Sequence, residues 1–237
     1  IGRLIEILKI NNQLDNTLIL FLSDNGGNSE SQGKDFDAAT IENIGGNSFS
    51  QSYRANWANV SNTPFKFFKS SNYEGGISTP LIMYWPNKIK KPYISNQLGH
   101  VIDFMPTFIE IAGAKYPAIN NGDSIKPYQG KSLLQTIEGE SYERGAIFFE
   151  HRANRAVIEG KWKLVSARSM KPPYTNKWEL YDLSADRAES NNLINQFPDK
   201  ASQLEAKWDT WAKQNDVLPI DGRGWNVKIA SDVNNKK

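Results

Sequence analysis

The sequence predicts an α/β protein in two parts, a layered sheet domain followed by a small antiparallel sheet that a C-terminal helix closes. In the first part, an amphipathic helix, a short loop and a fully apolar strand follow one another, which is the alternation that builds a layered sheet. In the second part, short strands separated by turn residues precede one long amphipathic helix. We therefore expect an α/β domain over residues 1–139 and a β subdomain with its closing helix and a polar tail over residues 140–237.

The composition excludes several classes of function. The 237 residues carry 28 basic and 26 acidic side chains without a basic stripe, so nucleic acid is not an expected partner. No apolar run reaches the roughly 20 residues that a membrane-spanning helix needs, so insertion into a membrane is not expected. The chain has no cysteine, which excludes disulfides, thiolate metal sites and a cysteine nucleophile within these residues.

The first elements are a helix and an apolar strand that ends in polar residues. Residues 1–10 have apolar side chains at helical spacing and predict the helix. The continuous apolar run over residues 18–22 is typical of a strand buried on both faces of a mostly parallel sheet. Asp24 and Asn25 follow at the carboxyl end, where ligands gather in open α/β sheets, so they are candidate site residues. Alternatively they form an ordinary turn, because Asp, Asn and Gly are the commonest turn residues.

A polar loop and an aromatic segment with two lysines come next. Residues 28–62 are rich in Asn, Ser and Gly and predict a long loop, in which residues 53–57 form either a pocket wall or a packed surface. Lys66 and Lys69 then stand among phenylalanines. A lysine here supplies a fixed positive charge for an oxyanion. Alternatively its chain lies over the phenylalanine rings and its ammonium group stays in water.

The remaining elements are predicted from periodicity and end signals. Residues 81–85 form a second short apolar strand. Asp103 is the expected N-cap of a helix that carries Pro106 in its first turn and ends near Gly113, and His100 has a capping or packing role. The later elements are a short helix over 132–138, strands over 146–150, 155–158, 161–167 and 178–183, a hairpin turn at Glu159-Gly160, a loop at Pro172-Pro173, a helix over 199–215 and a loose tail over 221–237.

Five segments, in this order and spacing, resemble the C-terminal part of the type I sulfatases of the arylsulfatase family. The resemblance implies a large alkaline-phosphatase-like α/β domain followed by a small antiparallel sheet with a C-terminal helix. It covers most of the 237 residues. The segments are LILFLSDNGG over 18–27, PFKFFKSSNYEGGISTPLIMYWP over 64–86, IDFMPTFIEIAG over 102–113, RAVIEGKWKLV over 155–165, and WELYDL over 178–183 with ESNNL over 189–193.

The resemblance also implies roles for four residues. Asp24 and Asn25 correspond to calcium ligands, and one carboxylate with one amide oxygen suits part of a Ca²⁺ shell without completing it. Lys69, and not Lys66, corresponds to the lysine that contacts the sulfate. His151 is either a substrate contact or a structural surface histidine. The implied activity is hydrolysis of a carbohydrate or aryl sulfate ester by a periplasmic or secreted, calcium-dependent enzyme.

Other parts of the family's active site are missing from this sequence. The nucleophile is a formylglycine made within a Cys/Ser-x-Pro-x-Arg motif, and no such motif occurs here. We expect it upstream, in an N-terminal half that also supplies the paired aspartates, and we expect this chain alone to be inactive. The alternatives are a phosphoesterase or phosphonate hydrolase of the same superfamily, which needs more His and Asp ligands, and a truncated module that only binds glycan.

Overall fold

The computed structural model describes residues 1–29, 54–169 and 175–220. They form two compact units, one made of Ile1–Leu22 and Pro80–Gly145, the other of Ser23–Thr79 and the chain from Ala146 onward. The predicted domain division after residue 139 stays a prediction.

The helices are α1 Gly2–Ile10, α2 Arg54–Ser61, α3 Glu74–Ile77, α4 Phe104–Ile111, α5 Leu134–Ile137 and α6 Pro198–Gln214. The strands are β1 Ile19–Phe21, β2 Ile82–Tyr84, β3 Ile119–Asn120, β4 Asp123–Ser124, β5 Ile147–His151, β6 Asn154–Glu159, β7 Trp162–Ser166 and β8 Glu179–Asp182.

The first strand differs from the prediction. β1 pairs antiparallel with β2, with Leu20 opposite Met83, and the two form a two-stranded sheet. Phe21 is 51% exposed, so within the described residues β1 is not buried on both faces. A continuous apolar run shows that a strand can be buried on either side, but it carries no information about the direction of its neighbours.

A short 3-10 helix, Val101–Asp103, leads into α4 and confirms the capping role predicted for His100. Its Nδ1 accepts a hydrogen bond from the amide of Ile102 at 3.2 Å, and the carboxylate of Asp103 accepts one from the amide of His100 at 2.7 Å. Burial lowers the pKa of His100, which favours the neutral ring that this bond requires. Arg144 pairs with the fully buried Asp103, 2.7 Å from Nη2 to Oδ1.

The second unit contains the predicted antiparallel sheet, in the order β5-β6-β7-β8. α6 covers one face of it. There the buried side chains of β6, β7 and β8 pack against those of the helix. Tyr73 contacts the other face, at Ala156, Val165 and Tyr181. The residues shared between the sheet and α6 are Val157, Leu164, Trp178, Leu180, Ala201, Leu204, Trp208 and Ala212.

One helix lies where the sequence predicted a loop. α2 covers Arg54–Ser61, although its Asn-rich sequence has low helix propensity. Trp57 on this helix is 65% exposed, which does not support a pocket wall at that position. Other loop predictions, over residues 30–53, at Pro172-Pro173 and over 221–237, lie outside the described residues. In the described ranges, no helix is long and apolar enough to cross a bilayer.

An ion cluster at the end of β6 provides a test of the packing between the sheet and α6. Glu159 accepts hydrogen bonds from Lys207 at 2.5 Å and Lys200 at 3.3 Å. Burial by itself raises the pKa of Glu159, but the two lysines outweigh it and hold the pKa below the usual value. A carboxyl group whose pKa is lower in the folded protein stabilises the fold above its unfolded pKa of about 4.3, and this stabilisation is lost as the pH falls through the folded value.

We predict that Glu159→Gln lowers the free energy of unfolding by about 1 kcal/mol at pH 7, because the pairs are partly exposed. The difference from the wild type should shrink toward zero near pH 3, as measured by urea denaturation at both pH values. Glu6→Gln, at an exposed position on α1, is the control and should change stability by less than about 0.5 kcal/mol. A deficit that is the same at both pH values would contradict the assignment.

Candidate active site

Three backbone segments approach one another so closely that only glycine fits between them. A Cβ atom on Gly26 would lie 1.8 Å from the carbonyl oxygen of Gly75. A Cβ on Gly75 would lie 2.1 Å from the carbonyl oxygen of Phe67, and one on Gly76 would lie 2.1 Å from that of Ser71. The segment after β1, the helix α3 and the loop over residues 66–71 are therefore stacked backbone to backbone.

Hydrogen bonds then bring Lys69 beside the segment that carries Asp24 and Asn25. The amide of Lys69 donates to the carbonyl of Gly27 at 3.1 Å, and the amide of Gly26 donates to that of Gly76 at 3.2 Å. The side chain of Asn62 accepts from the amide of Gly27 at 3.0 Å. These contacts bring together the backbones of the segments that hold three of the four predicted site residues.

The two candidate metal ligands offer oxygen atoms of the kind that calcium prefers. Asp24 is exposed. The Nδ2 of Asn25 donates to the carbonyl of Gly26 at 2.8 Å, which leaves Oδ1 as the end of the amide that can meet a cation. Calcium requires about six to eight oxygen ligands. The described part of the chain has no group of three His, Cys, Asp or Glu side chains that could hold a metal ion, so these two residues fit part of a shell.

The two lysines of the aromatic segment have different surroundings. Lys66 Nζ lies 3.3 Å from Glu179 Oε2, 3.2 Å from the hydroxyl of Tyr181 and 4.5 Å from the ring centroid of Tyr73. Burial, together with Glu179, raises the pKa of both tyrosines, so they stay protonated around the lysine. The charge of Lys66 is therefore held within the packing of the second unit, whereas Lys69 lines a cavity.

This cavity has a volume of about 270 Å³ and is bounded by three cationic side chains. Lys69 comes from the loop before α3, Arg152 from the turn between β5 and β6, and Arg168 from the chain after β7. His151 is exposed at the end of β5 and does not line the cavity, although the next residue does. Sequence reasoning did not identify either arginine, because nothing in the local pattern links positions 69, 152 and 168.

Below α3, a fully buried lysine joins three segments of the chain. Lys163 Nζ, on β7, lies 3.0 Å from Glu74 Oε1 and 2.9 Å from Glu189 Oε1, the second being a charge contact outside hydrogen-bond alignment. Arg187 reaches Glu74 Oε2 at 3.1 Å, and the amide of Glu74 donates to Glu189 Oε2 at 2.7 Å. The two cations balance the two carboxylates.

The two carboxylates of this cluster respond differently to their burial. Burial by itself raises the pKa of Glu74, but Lys163 and Arg187 together outweigh it and lower the pKa. For Glu189 burial dominates and raises the pKa, although Lys163 opposes it. The cluster thus fixes α3 on the sheet. Sequence reasoning missed it, although a lysine inside the apolar run of β7 was a visible signal.

Comparisons with known proteins identify the relatives of this chain. A family model described as "N-sulphoglucosamine sulphohydrolase, C-terminal" matches residues 65–214, and one described as "Sulfatase" matches residues 1–114. An uncharacterised sulfatase of Schizosaccharomyces pombe is 31% identical over 97% of this chain and 44% of the relative. The N-acetylgalactosamine-6-sulfatase of Mus musculus is 28% identical over 81% of this chain and 31% of the relative.

A solved structure shows the same fold at lower identity. The PsFucS1 sulfatase from Pseudoalteromonas sp. superposes with a TM-score of 0.63 over 94% of this chain and 42% of that protein, at 20% sequence identity. This chain therefore spans less than half the length of each of these three relatives.

The close approach of Gly26 to Gly75 can be tested by adding one methyl group. We predict that Gly26→Ala lowers the free energy of unfolding by about 3 kcal/mol, because a backbone carbonyl occupies the position of the new Cβ. Gly145→Ala is the matched control, since nothing lies within 4 Å of its Cβ position, and it should cost less than about 0.5 kcal/mol. Equal effects of the two substitutions in urea denaturation would show that the predicted contact is wrong.

Proposed function

This chain belongs to the sulfatase family, and from that premise we propose that the intact protein hydrolyses sulfate esters with Asp24, Asn25 and Lys69 in its active site. The observation that carries the proposal is the hydrogen bond between the amide of Lys69 and the carbonyl of Gly27. It joins the cavity that Lys69 lines to the segment that bears the two oxygen ligands.

Each residue has a defined task in this proposal. Asp24 and Asn25 hold part of the shell of a Ca²⁺ ion, which supplies Lewis-acid polarisation of the sulfate when it is bound. Lys69 places its ammonium group against the sulfate oxygens, where negative charge grows as the ester bond breaks. His151 is proposed to contact the substrate from the hairpin that also carries Arg152.

The nucleophile comes from outside this sequence. No Cys/Ser-x-Pro-x-Arg motif for a formylglycine is present, so we propose that the chain alone does not turn over and acts with a further part of the same protein. Exposed apolar side chains along α1 and at its N-cap support such a partner. The side chains Ile1, Leu4, Ile7 and Ile10 are 73%, 68%, 55% and 71% exposed. Apolar surface of this kind usually marks an interaction site.

The proposed substrates are sulfated carbohydrates or aryl sulfates. The name of the mouse relative, an N-acetylgalactosamine-6-sulfatase, supports a sugar sulfate. A periplasmic or secreted location is proposed from the family.

Lys69 can be tested in the intact protein with 4-nitrophenyl sulfate. We predict that Lys69→Ala lowers kcat/KM by about 100-fold, because one preorganised cationic donor to the sulfate is lost. Lys66→Met is the contrasting variant, since its charge faces Glu179 and Tyr181, and it should lower thermal stability more than turnover. An equal loss of kcat/KM in both variants, or none in Lys69→Ala, would refute the role of Lys69.

A further inference from the structure

The loop that carries Lys69 has a strained backbone conformation on both sides of this lysine. Phe67, two positions before it, and Ser70, directly after it, have φ angles of 63° and 74°, in the left-handed region. Glycine adopts this region freely, whereas a side chain makes it costly, above all a bulky one. Such a conformation persists only where the surrounding structure holds it, and it is common at functional sites. The loop therefore depends on contacts that keep these two residues in place.

The carbonyl group of each strained residue accepts a hydrogen bond from the side-chain amide of an asparagine. Asn62 Nδ2 donates to the carbonyl of Phe67 at 3.0 Å. Asn154 Nδ2 donates to the carbonyl of Ser70 at 2.9 Å. We call Asn62 and Asn154 the asparagine clamp. Because each bond fixes a peptide group next to a strained residue, the clamp constrains the backbone on both sides of Lys69.

The same two amides also bind other segments of the site. Asn62 Oδ1 accepts from the amide of Gly27 at 3.0 Å, in the segment after β1. Asn154 Oδ1 accepts from the amide of Arg168 at 3.0 Å, and Asn154 Nδ2 also donates to the carbonyl of His151 at 2.9 Å. The clamp therefore sets the loop against the segment after β1 on one side and against the hairpin of β5 and β6 on the other.

The amide of Asn154 is buried and fully used. The residue is 9% exposed, both of its amide hydrogens are donated, and its amide oxygen accepts. Its backbone carbonyl also accepts from the side chain of Asn72 at 2.9 Å. A buried amide that is bonded at both ends has one orientation, so it specifies where its partners lie. Removing it would leave buried carbonyl groups without this donor.

We propose that Asn62 and Asn154 are positioning residues, which place the ammonium group of Lys69 against the scissile sulfate by holding its loop in the strained conformation. This inference rests on the proposed function, in which Lys69 binds the sulfate oxygens, and it adds the residues that orient this lysine. Both amide hydrogens of Asn154 are bonded within the chain, so this residue acts through Lys69. A small displacement of a group that contacts the reacting atoms is enough to slow a reaction strongly.

A double-mutant cycle in the intact protein tests whether Asn154 acts through Lys69. The kcat/KM for 4-nitrophenyl sulfate is measured for the wild type, Asn154→Ala, Lys69→Ala and the double variant. We expect Asn154→Ala to lower kcat/KM at least about tenfold when Lys69 is present and less than about twofold when it is absent, because the clamp then has no side chain to orient. A role in stability alone would lower kcat/KM by the same factor in both backgrounds. The same cycle with Asn62→Ala should give the same pattern.

Two further variants sharpen the cycle. Asn192 is the matched control, because its Oδ1 accepts from the amides of Leu180 and Ile194, both at 3.1 Å, and not from the Lys69 loop. Asn192→Ala should change kcat/KM by less than about twofold in either background. Asn154→Asp keeps the shape and the acceptor but, when ionised, cannot donate, so it should lose activity as Asn154→Ala does. Thermal melting identifies a variant that has lost its fold, in which case the cycle with Asn62→Ala, at a half-buried position, decides.

Amide hydrogen exchange tests the clamp without turnover. The amide of Lys69 donates to the carbonyl of Gly27, and this bond depends on the position of the loop. The amide of Lys69 should exchange at least about tenfold faster in Asn62→Ala and Asn154→Ala than in the wild type. The amide of Leu204, in the buried face of α6, is the internal reference and should exchange at an unchanged rate.

Two results would overturn the inference. One is an equal loss of kcat/KM from Asn154→Ala with and without Lys69, and the other is unchanged exchange at the amide of Lys69 in both alanine variants. Failure of the proposed function gives a different result. If Lys69→Ala hydrolyses the ester as fast as the wild type, Lys69 is not the sulfate contact and the proposed function fails. The exchange rates then still decide whether the two asparagines position the loop.

Discussion

The ion pairs made by the fully buried ammonium group of Lys163 are the interactions on which the packing of the second unit depends. This ammonium group contacts carboxylates from α3 and from the segment before α6, so one charge links β7 to two pieces of chain that are distant in sequence. Removing one member of such a cluster leaves uncompensated charge in the interior, at a cost of about 3–5 kcal/mol. Because Arg187 adds a second cation to Glu74, the four charges balance and the cluster is tolerated inside the protein.

The ion cluster around Lys163 determines the position of the candidate site, because it holds α3 in place and α3 contacts the segments of the site. Glu74 belongs to the same short helix as Gly75 and Gly76, whose backbones contact the segment before Lys69 and the one after β1. The glycines permit contact at distances that no side chain allows, and the ion cluster fixes the helix on the sheet. The segment before Lys69 and the segment that bears Asp24 and Asn25 are therefore both held against α3.

Much of the fold could be predicted because its signals are local. Periodicity predicted α6, and Asp103 with Pro106 predicted the start of α4. The side chain of Asp103 makes no capping hydrogen bond to α4, however, and instead accepts from the amides of His100 and Lys131. The alkaline-phosphatase-like fold class is confirmed by the relatives. The direction of β1 and the helix α2 could not be predicted, since the first depends on a partner strand and the second on packing that overrides weak propensity.

The candidate site was predicted in part. Asp24, Asn25 and Lys69 came from a resemblance in order and spacing, and the structure explains why their segments are adjacent. The sequence did not predict Arg152, Asn154 and Arg168 as site residues. These residues and Lys69 are far apart in the sequence: the hydrogen bond from Asn154 to the carbonyl of Ser70, for example, spans 84 positions. Only the folded chain brings them together.

Amide hydrogen exchange in Lys163→Met and Leu204→Ala tests directly whether the buried cluster supports the site. The amides of Gly26 and Lys69 should exchange at least about tenfold faster in Lys163→Met, whereas Leu204→Ala should mainly accelerate exchange in α6. Unchanged exchange at Gly26 and Lys69 in Lys163→Met would contradict this dependence.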